Sequence, residues 1–165
     1  MAGVRSIPDP GFAGDDGSVA AEVTDALASY AVDPDARHDP TLEVLQRHRV
    51  LVPVVAVLGE VEHDEQGLAH DKTSDMATVL MRGRDGRTAL LAFTGEEPMR
   101  RWDPRSRPVP VSVATAAQAA VQDGAAAMLL DVAGPVTFVV ETDDLTELAA
   151  GHTLVRVGDR HGWVG

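Results

Sequence analysis

The chain predicts an α/β fold of the mixed, α+β kind: one domain whose sheet has both parallel and antiparallel strands, with helices packed on it. Three observations carry this. From Met76 to Thr94 the sequence reads MATVLM-RGRDGR-TALLAFT, two apolar runs of strand length around Asp85-Gly86. From Thr88 onward, apolar runs of strand length alternate with segments of helical periodicity. The composition, 165 residues with 44% hydrophobic, suits one core of useful size.

Asp-Gly favours a two-residue hairpin turn, because both positions adopt positive φ. With Asp85 and Gly86 as the loop, Arg84 faces Arg87, Arg82 faces Ala89, Leu80 faces Leu91 and Thr78 faces Phe93. Both faces of each strand are apolar or small, so the hairpin is expected to be covered on both sides, as in the middle of a sheet.

Residues 1–17 are rich in Pro, Gly and Asp and read as a turn-rich arm, pinned if at all by Ile7 and Phe12. The main domain is expected over 18–151. Ser18 suits an N-cap for a helix with Val19, Val23, Ala26, Leu27 and Tyr30 on one face. Asp39-Pro40 reads as the cap and first residue of a short second helix, with Leu42 and Leu45 inward. RVLVPVVAVL, 49–58, is a Val-rich buried strand, and Pro53 places it at an edge or a bulge. Residues 59–75 form a polar loop long enough to be functional or disordered.

After the hairpin, Thr94-Gly95-Glu96-Glu97 has the form of a capping box for a helix ending near Trp102. Val109–Val111 is a short strand, and Ser112 caps an alanine-rich helix ended by Gly124. Strands follow at 127–132 and 136–140. Thr142 caps a last helix, with Asp143 and Asp144 in its first turn and Gly151 at its end. Residues 152–165 read as a strand and a frayed tail. The connections allow right-handed crossovers, so strands 88–94, 109–111 and 127–132 are expected to run parallel, with antiparallel partners at 76–82 and 136–140.

The net charge of −12 argues against nucleic acid and anionic membrane as general partners. The chain has no cysteine, which excludes disulfides, thiolate catalysis and Cys-ligated metals. No apolar run approaches a membrane span, and the N-terminal stretch lacks the apolar core of a signal peptide, so a cytoplasmic protein is expected.

Several motifs resemble the SseB N-terminal domain family in its actinobacterial form. They are LVPV at 51–54, KTSDMA at 72–77, GRDGRTAL at 83–90, AFTG at 92–95, Trp102 with RPVPV at 107–111, and D-x-x-G-P at 131–135. The resemblance spans roughly residues 4–150. It implies a small mixed α/β domain of bacteria without established catalytic activity; no cofactor is expected. Asp131-Val132 departs from the Asp-Pro expected at that turn.

Two surfaces stand out. Arg82, Arg84 and Arg87 lie on the hairpin tip, while Arg100, Arg101, Arg105 and Arg107 flank Trp102-Asp103-Pro104. Together they are half of the 14 Lys and Arg residues. An arginine-rich pole on an acidic protein suits docking of an acidic protein partner, and this is the leading expectation. The opposite pole gathers Ser74, Asp75, Thr94, Ser112 and Asp131 at the carboxyl ends of the expected parallel strands. It suits a small polar ligand or anion, the alternative expectation. The pattern fixes no histidine near Ser74 or Ser112, which argues against a Ser-His-Asp hydrolase. His63 and His70 stand among the acidic residues of 60–71 at spacings that match no metal motif, so no metal is expected. Gly83–Gly86 lacks the strand–loop–helix setting of a phosphate loop.

Overall fold

A computed structural model describes residues 12–56 and 76–165. In chain order the elements are α1 (Ala21–Val32), α2 (Pro34–Leu45), β1 (Arg49–Ala56), β2 (Met76–Thr78), β3 (Leu80–Arg82), β4 (Thr88–Ala92), α3 (Glu96–Trp102), β5 (Arg107–Ser112), α4 (Val113–Gln122), β6 (Ala127–Leu130), β7 (Phe138–Val140), α5 (Thr142–Ala149), β8 (Thr153–Val157) and β9 (Arg160–Val164). The mixed α+β class is as expected, but the strands are partitioned differently.

A four-stranded sheet has the order β3-β4-β6-β7. Its β4–β6 pair is parallel and its outer pairs are antiparallel. A second, three-stranded sheet has the order β2-β1-β5, antiparallel throughout. Strand β5 is therefore not a parallel neighbour of β4. The two sheets meet at one antiparallel bridge, Leu51 to Phe93. The expected single strand over 76–82 is broken at Val79, with β2 serving β1 and β3 serving β4.

The hairpin is shifted by one residue from the expected register. Leu80 faces Leu90, Met81 faces Ala89 and Arg82 faces Thr88. Gly83 N–H donates to Arg87 O at 2.8 Å and Gly86 N–H to Gly83 O at 3.1 Å, so the loop has three residues. Gly86, at φ +81°, takes the left-handed position that ends such loops. The Asp85 side chain accepts from Arg87 N–H at 3.0 Å, a local bond that supports this longer turn. Strand β4 is covered on both faces, whereas β3 is an edge strand with Leu80 and Arg82 exposed.

The pleat divides the core. Leu90, Ala92, Met128, Leu130, Phe138 and Val140 face α1, α2, α4 and α5. Leu91 and Phe93 face the other way and are covered by Met99 and Trp102 of α3, with Leu51 beside them. Leu51 is the link, since its N–H and C=O both bond Phe93, at 2.7 and 2.8 Å. Alternation along β1 then directs Val50, Val52 and Val54 toward β5 and Pro53 away from it. The imide nitrogen of Pro53 thus falls between the bridge to Phe93 and the start of β2, so β1 is central despite its proline. Pro108 and Pro110, opposite Pro53 and Leu51, turn their nitrogens to the open edge of β5.

Several caps differ from expectation. Helix α1 begins after Ala20, and Ser18 bonds Asp16 instead. Helix α2 begins before the expected Asp39-Pro40, at the earlier Asp33-Pro34, where the Asp33 side chain accepts from Ala36 N–H at 3.2 Å. Pro40 is carried inside the helix, held there by the full burial of Thr41, Leu42 and Leu45. Ser112 caps α4 as expected, accepting from Thr115 N–H at 3.0 Å. Thr142 starts α5 but donates to Ala126 O at 2.6 Å, leaving Glu141 as the N-cap.

The C-terminal segment is a hairpin, not a strand with a frayed tail. Gly158-Asp159 turns β8 into β9, and Leu154 and Trp163 pack onto the main core. Gln46 fixes it at the end of α2: its side-chain amide donates to Leu154 O at 2.5 Å and accepts from Leu154 N–H at 2.9 Å.

Candidate functional site

At the strand-end pole, β4 and β6 end side by side at Ala92 and Leu130. Just beyond these ends, Thr94 and Asp131 are bonded to each other. Thr94 N–H donates to Asp131 Oδ1 at 2.8 Å and Thr94 Oγ1 to Asp131 Oδ2 at 2.6 Å. Asp131 is 1% exposed and Thr94 4%. Asp131 has φ +55°, a conformation Asp tolerates better than most residues, and this aims its carboxylate back at β4. Burial raises its carboxyl pKa, against the two bonds from Thr94, which lower it. The capping box expected at Thr94 is therefore not used, and Gly95 is the N-cap of α3. Ser112 sits opposite Arg49 and is occupied as the α4 cap. Ser74 and Asp75 lie outside the described residues, as do Ile7, His63 and His70.

The residue that organises this pole is Arg49, the first of β1, which the sequence reading did not single out. Its side chain is 12% exposed and faces Asp15, whose side chain is 18% exposed. Arg49 Nε and Nη2 donate to the two oxygens of Asp15, the second bond at 3.0 Å. Nη2 also donates to Ser18 O at 2.7 Å, and Nη1 to Thr94 O at 2.5 Å. The Arg49 hydrogen bond holds the Asp15 carboxyl below its ordinary range. One signal was available: an arginine opening the most apolar run of the chain needs a partner for its charge.

The seven arginines of the expected docking surface are all exposed. Arg107 opens β5 opposite Val54, at the far end of that strand from Ser112. Arg82 and the tip lie at the end of β4 remote from Thr94. Four of the seven are in intramolecular pairs: Arg87 with Glu141 at 3.2 Å, Arg100 with Glu96 at 2.8 Å, Arg101 with Glu97 at 2.8 Å and Arg105 with Asp103 at 3.4 Å. Trp102 is half-buried with its ring 5.7 Å from Phe93, so it serves the second core cluster. Among the described residues no group of three or more His, Asp or Glu is placed to hold a metal, and no helix is long and apolar enough to cross a membrane.

The molecule is thus a small mixed α/β domain with one buried carboxylate–threonine pair, one partly buried arginine fork and exposed arginines at two places, Arg82, Arg84, Arg87 and Arg107 away from Thr94 and Arg100 and Arg101 beside residues 16–19. A family model for the SseB protein N-terminal domain matches residues 23–147, well over half of the chain, and the chain belongs to that family. No curated protein and no solved structure matches it.

Proposed function

We propose that this chain is a non-catalytic interaction module of the SseB N-terminal domain type, docking an acidic protein partner through its exposed arginines. One observation supports this above the rest. Thr94, Asp131 and Ser112 spend their polar atoms on each other or on helix caps, whereas Arg87, Arg100, Arg101 and Arg105 are exposed and each is paired with one carboxylate at or near the surface. Each such pair is worth about 0.2–1 kcal/mol, so an incoming carboxylate exchanges for the internal one at little cost. The same carboxylates compete with the partner, so binding is of moderate strength and weakens with salt. Trp102 backs this surface as part of the core instead of acting as an exposed anchor.

The test is charge reversal of Arg84, Arg101 and Arg105 to Glu in the full chain. Stability changes by no more than a few tenths of a kcal/mol per site, including the repulsion that Arg101→Glu introduces one helical turn after Glu97. Capture of acidic proteins from native lysate, recovered by the wild type at low salt and lost at high salt, is abolished. Equal capture by the folded triple variant overturns the reading.

A further inference from the structure

We propose that the cleft floored by Arg49 is a binding site for a small carboxylate, and that Asp15 keeps it closed as a tethered internal ligand. The cleft has a volume of about 440 Å³ and is lined by Phe12, Asp15, Ser18, Val23, His48 and Arg49, among others. That is within the range of small-molecule pockets, roughly 300–1,000 Å³. It lies at the end of the sheet remote from the hairpin tip and Arg107, while Arg100 and Arg101 line a neighbouring cleft with Asp16, Gly17, Ser18 and Val19 of the arm.

The guanidinium has one anchor that does not depend on the arm, beside the bond from Nη2 to Ser18 O. Nη1 is anchored to the backbone carbonyl of Thr94 at 2.5 Å. Thr94 is itself locked by Asp131 through its N–H and its hydroxyl. The plane of the fork is therefore fixed from behind by two core strands, which leaves Nε and Nη2 directed forward. Such a fork matches the two oxygens of a carboxylate, and Asp15 fills it in that two-oxygen manner.

Asp15 comes from elsewhere in the chain. Arg49 and Thr94 lie inside the family-matched region, 23–147, and Asp15 lies before it. The domain supplies the fork and the preceding arm supplies the carboxylate. Residues 13–20 form no helix or strand. The arm is fastened by few bonds: Asp15 and Ser18 O to Arg49, and Gly17 O accepting from Glu96 N–H at 2.8 Å. Gly95 makes this close approach possible, since a Cβ there falls 2.6 Å from Val19 Cγ2 and 3.0 Å from Gly17 O. An entering carboxylate that replaces Asp15 recovers the same two bonds to the fork and disturbs little else.

The test uses the full chain with Asp15→Asn. Asn keeps the acceptor that Gly17 N–H bonds at 2.8 Å, so the arm turn survives, but it no longer satisfies both donors of the fork. Succinate is titrated, with succinamide as the neutral control and inorganic phosphate as the competing anion. Calorimetry reads affinity, and the Arg49 Nε–H resonance reads the site. Asp15→Asn is expected to bind succinate at least tenfold more tightly than wild type and to ignore succinamide. Asp15→Asn with Arg49→Gln is expected to lose that binding while remaining folded. Asp15→Ala repeats the comparison if the Asn variant is unfolded. Succinate binding no tighter than in wild type, or unchanged by Arg49→Gln, makes the ion pair a fastener of the arm only. Phosphate binding as tight as succinate overturns the carboxylate assignment. Succinate binding is unaffected by the Arg84 and Arg105 reversals, which are the controls here because Arg101 borders the arm, so failure here and failure of the docking reading are separable.

Discussion

Replacing Asp131 with Ala removes the acceptor for two buried donors at once. The Thr94 N–H and hydroxyl, bonded at 2.8 and 2.6 Å, lie in a residue that is 4% exposed, so water does not readily replace the carboxylate. Each orphaned donor costs about 1–3 kcal/mol. Alanine is also poorly suited to φ +55°, which adds about 1–2 kcal/mol. Against this stands relief from burying a carboxylate. The expected net loss is about 2–4 kcal/mol, a fall in Tm of roughly 5–15 °C for a domain of this size. Asp131→Asn keeps one acceptor and is expected to cost less. The Asn variant also isolates the titration. Because burial raises the folded-state pKa of Asp131 above the ordinary 3.8, the folded protein binds that proton more tightly than the unfolded chain. Its contribution to stability is fully present below 3.8 and is lost as pH rises through the folded value. Asp15, Asp16 and Glu22 are shifted the opposite way and lose their contributions as pH falls, so the total curve mixes the two. The difference between wild type and Asp131→Asn removes them. Urea unfolding, followed by the fluorescence of Trp102 and Trp163 across acid to neutral pH, is expected to show that difference moving in favour of wild type on acidification. A loss below about 1 kcal/mol for Asp131→Ala, or a pH-independent difference for Asp131→Asn, refutes the reasoning.

Gly86→Val meets no atom within 4 Å of its new Cβ, so only the φ of +81° opposes it. Thermal unfolding is expected to show a loss of about 1–3 kcal/mol from backbone strain, and an unchanged Tm refutes the turn assignment. Gln46→Ala strips both bonds from Leu154 and is expected to cost about 1–3 kcal/mol. Hydrogen exchange is expected to quicken over 153–164 and to stay slow in α4; uniform behaviour across both shows that the hairpin is held by other contacts.

Much of the fold was legible because it depends on local periodicity. The strands at 49–56, 88–92 and 127–130, the α4 cap at Ser112 and the stop at Gly124 each follow from residues within a few positions. Errors arose where a local signal had a distant competitor. Asp39-Pro40 and Asp33-Pro34 carry the same cap signature, and burial of Thr41, Leu42 and Leu45 carries the helix through the later one. The turn at Asp85-Gly86 slipped by one residue because Gly83 and Arg87 form the closing pair. The C-terminal hairpin had a readable signal in Gly158-Asp159, but its docking depends on Gln46, more than a hundred residues earlier. The assignment of β5 failed for a topological reason: a short strand after a helix reads as a parallel crossover, and nothing local reveals that β1 offers the open edge.

The candidate sites divide along the same line. Exposed arginines are visible in a sequence because their clustering is local, yet so are the carboxylates that pair with Arg100, Arg101 and Arg105, Glu141 beside Arg87 being the distant one. Glu96 and Glu97 stand four residues before Arg100 and Arg101, a helical spacing that makes the pairing readable as well. The strand-end pole is the reverse case. Its order depends on Thr94 meeting Asp131 and Arg49 meeting Asp15, contacts that only the paired strands and the returning arm create. What the sequence does carry is the cost of leaving such groups alone. An arginine opening a buried strand and an aspartate closing one each demand a partner. The Asp131 demand is met within the matched domain and the Arg49 demand by a residue before it. A core aspartate paired with a core threonine is bound to the stability of the fold. A partly buried arginine paired with an arm carboxylate is the exchangeable case, and that asymmetry makes Arg49, not Asp131, the place to look for a ligand.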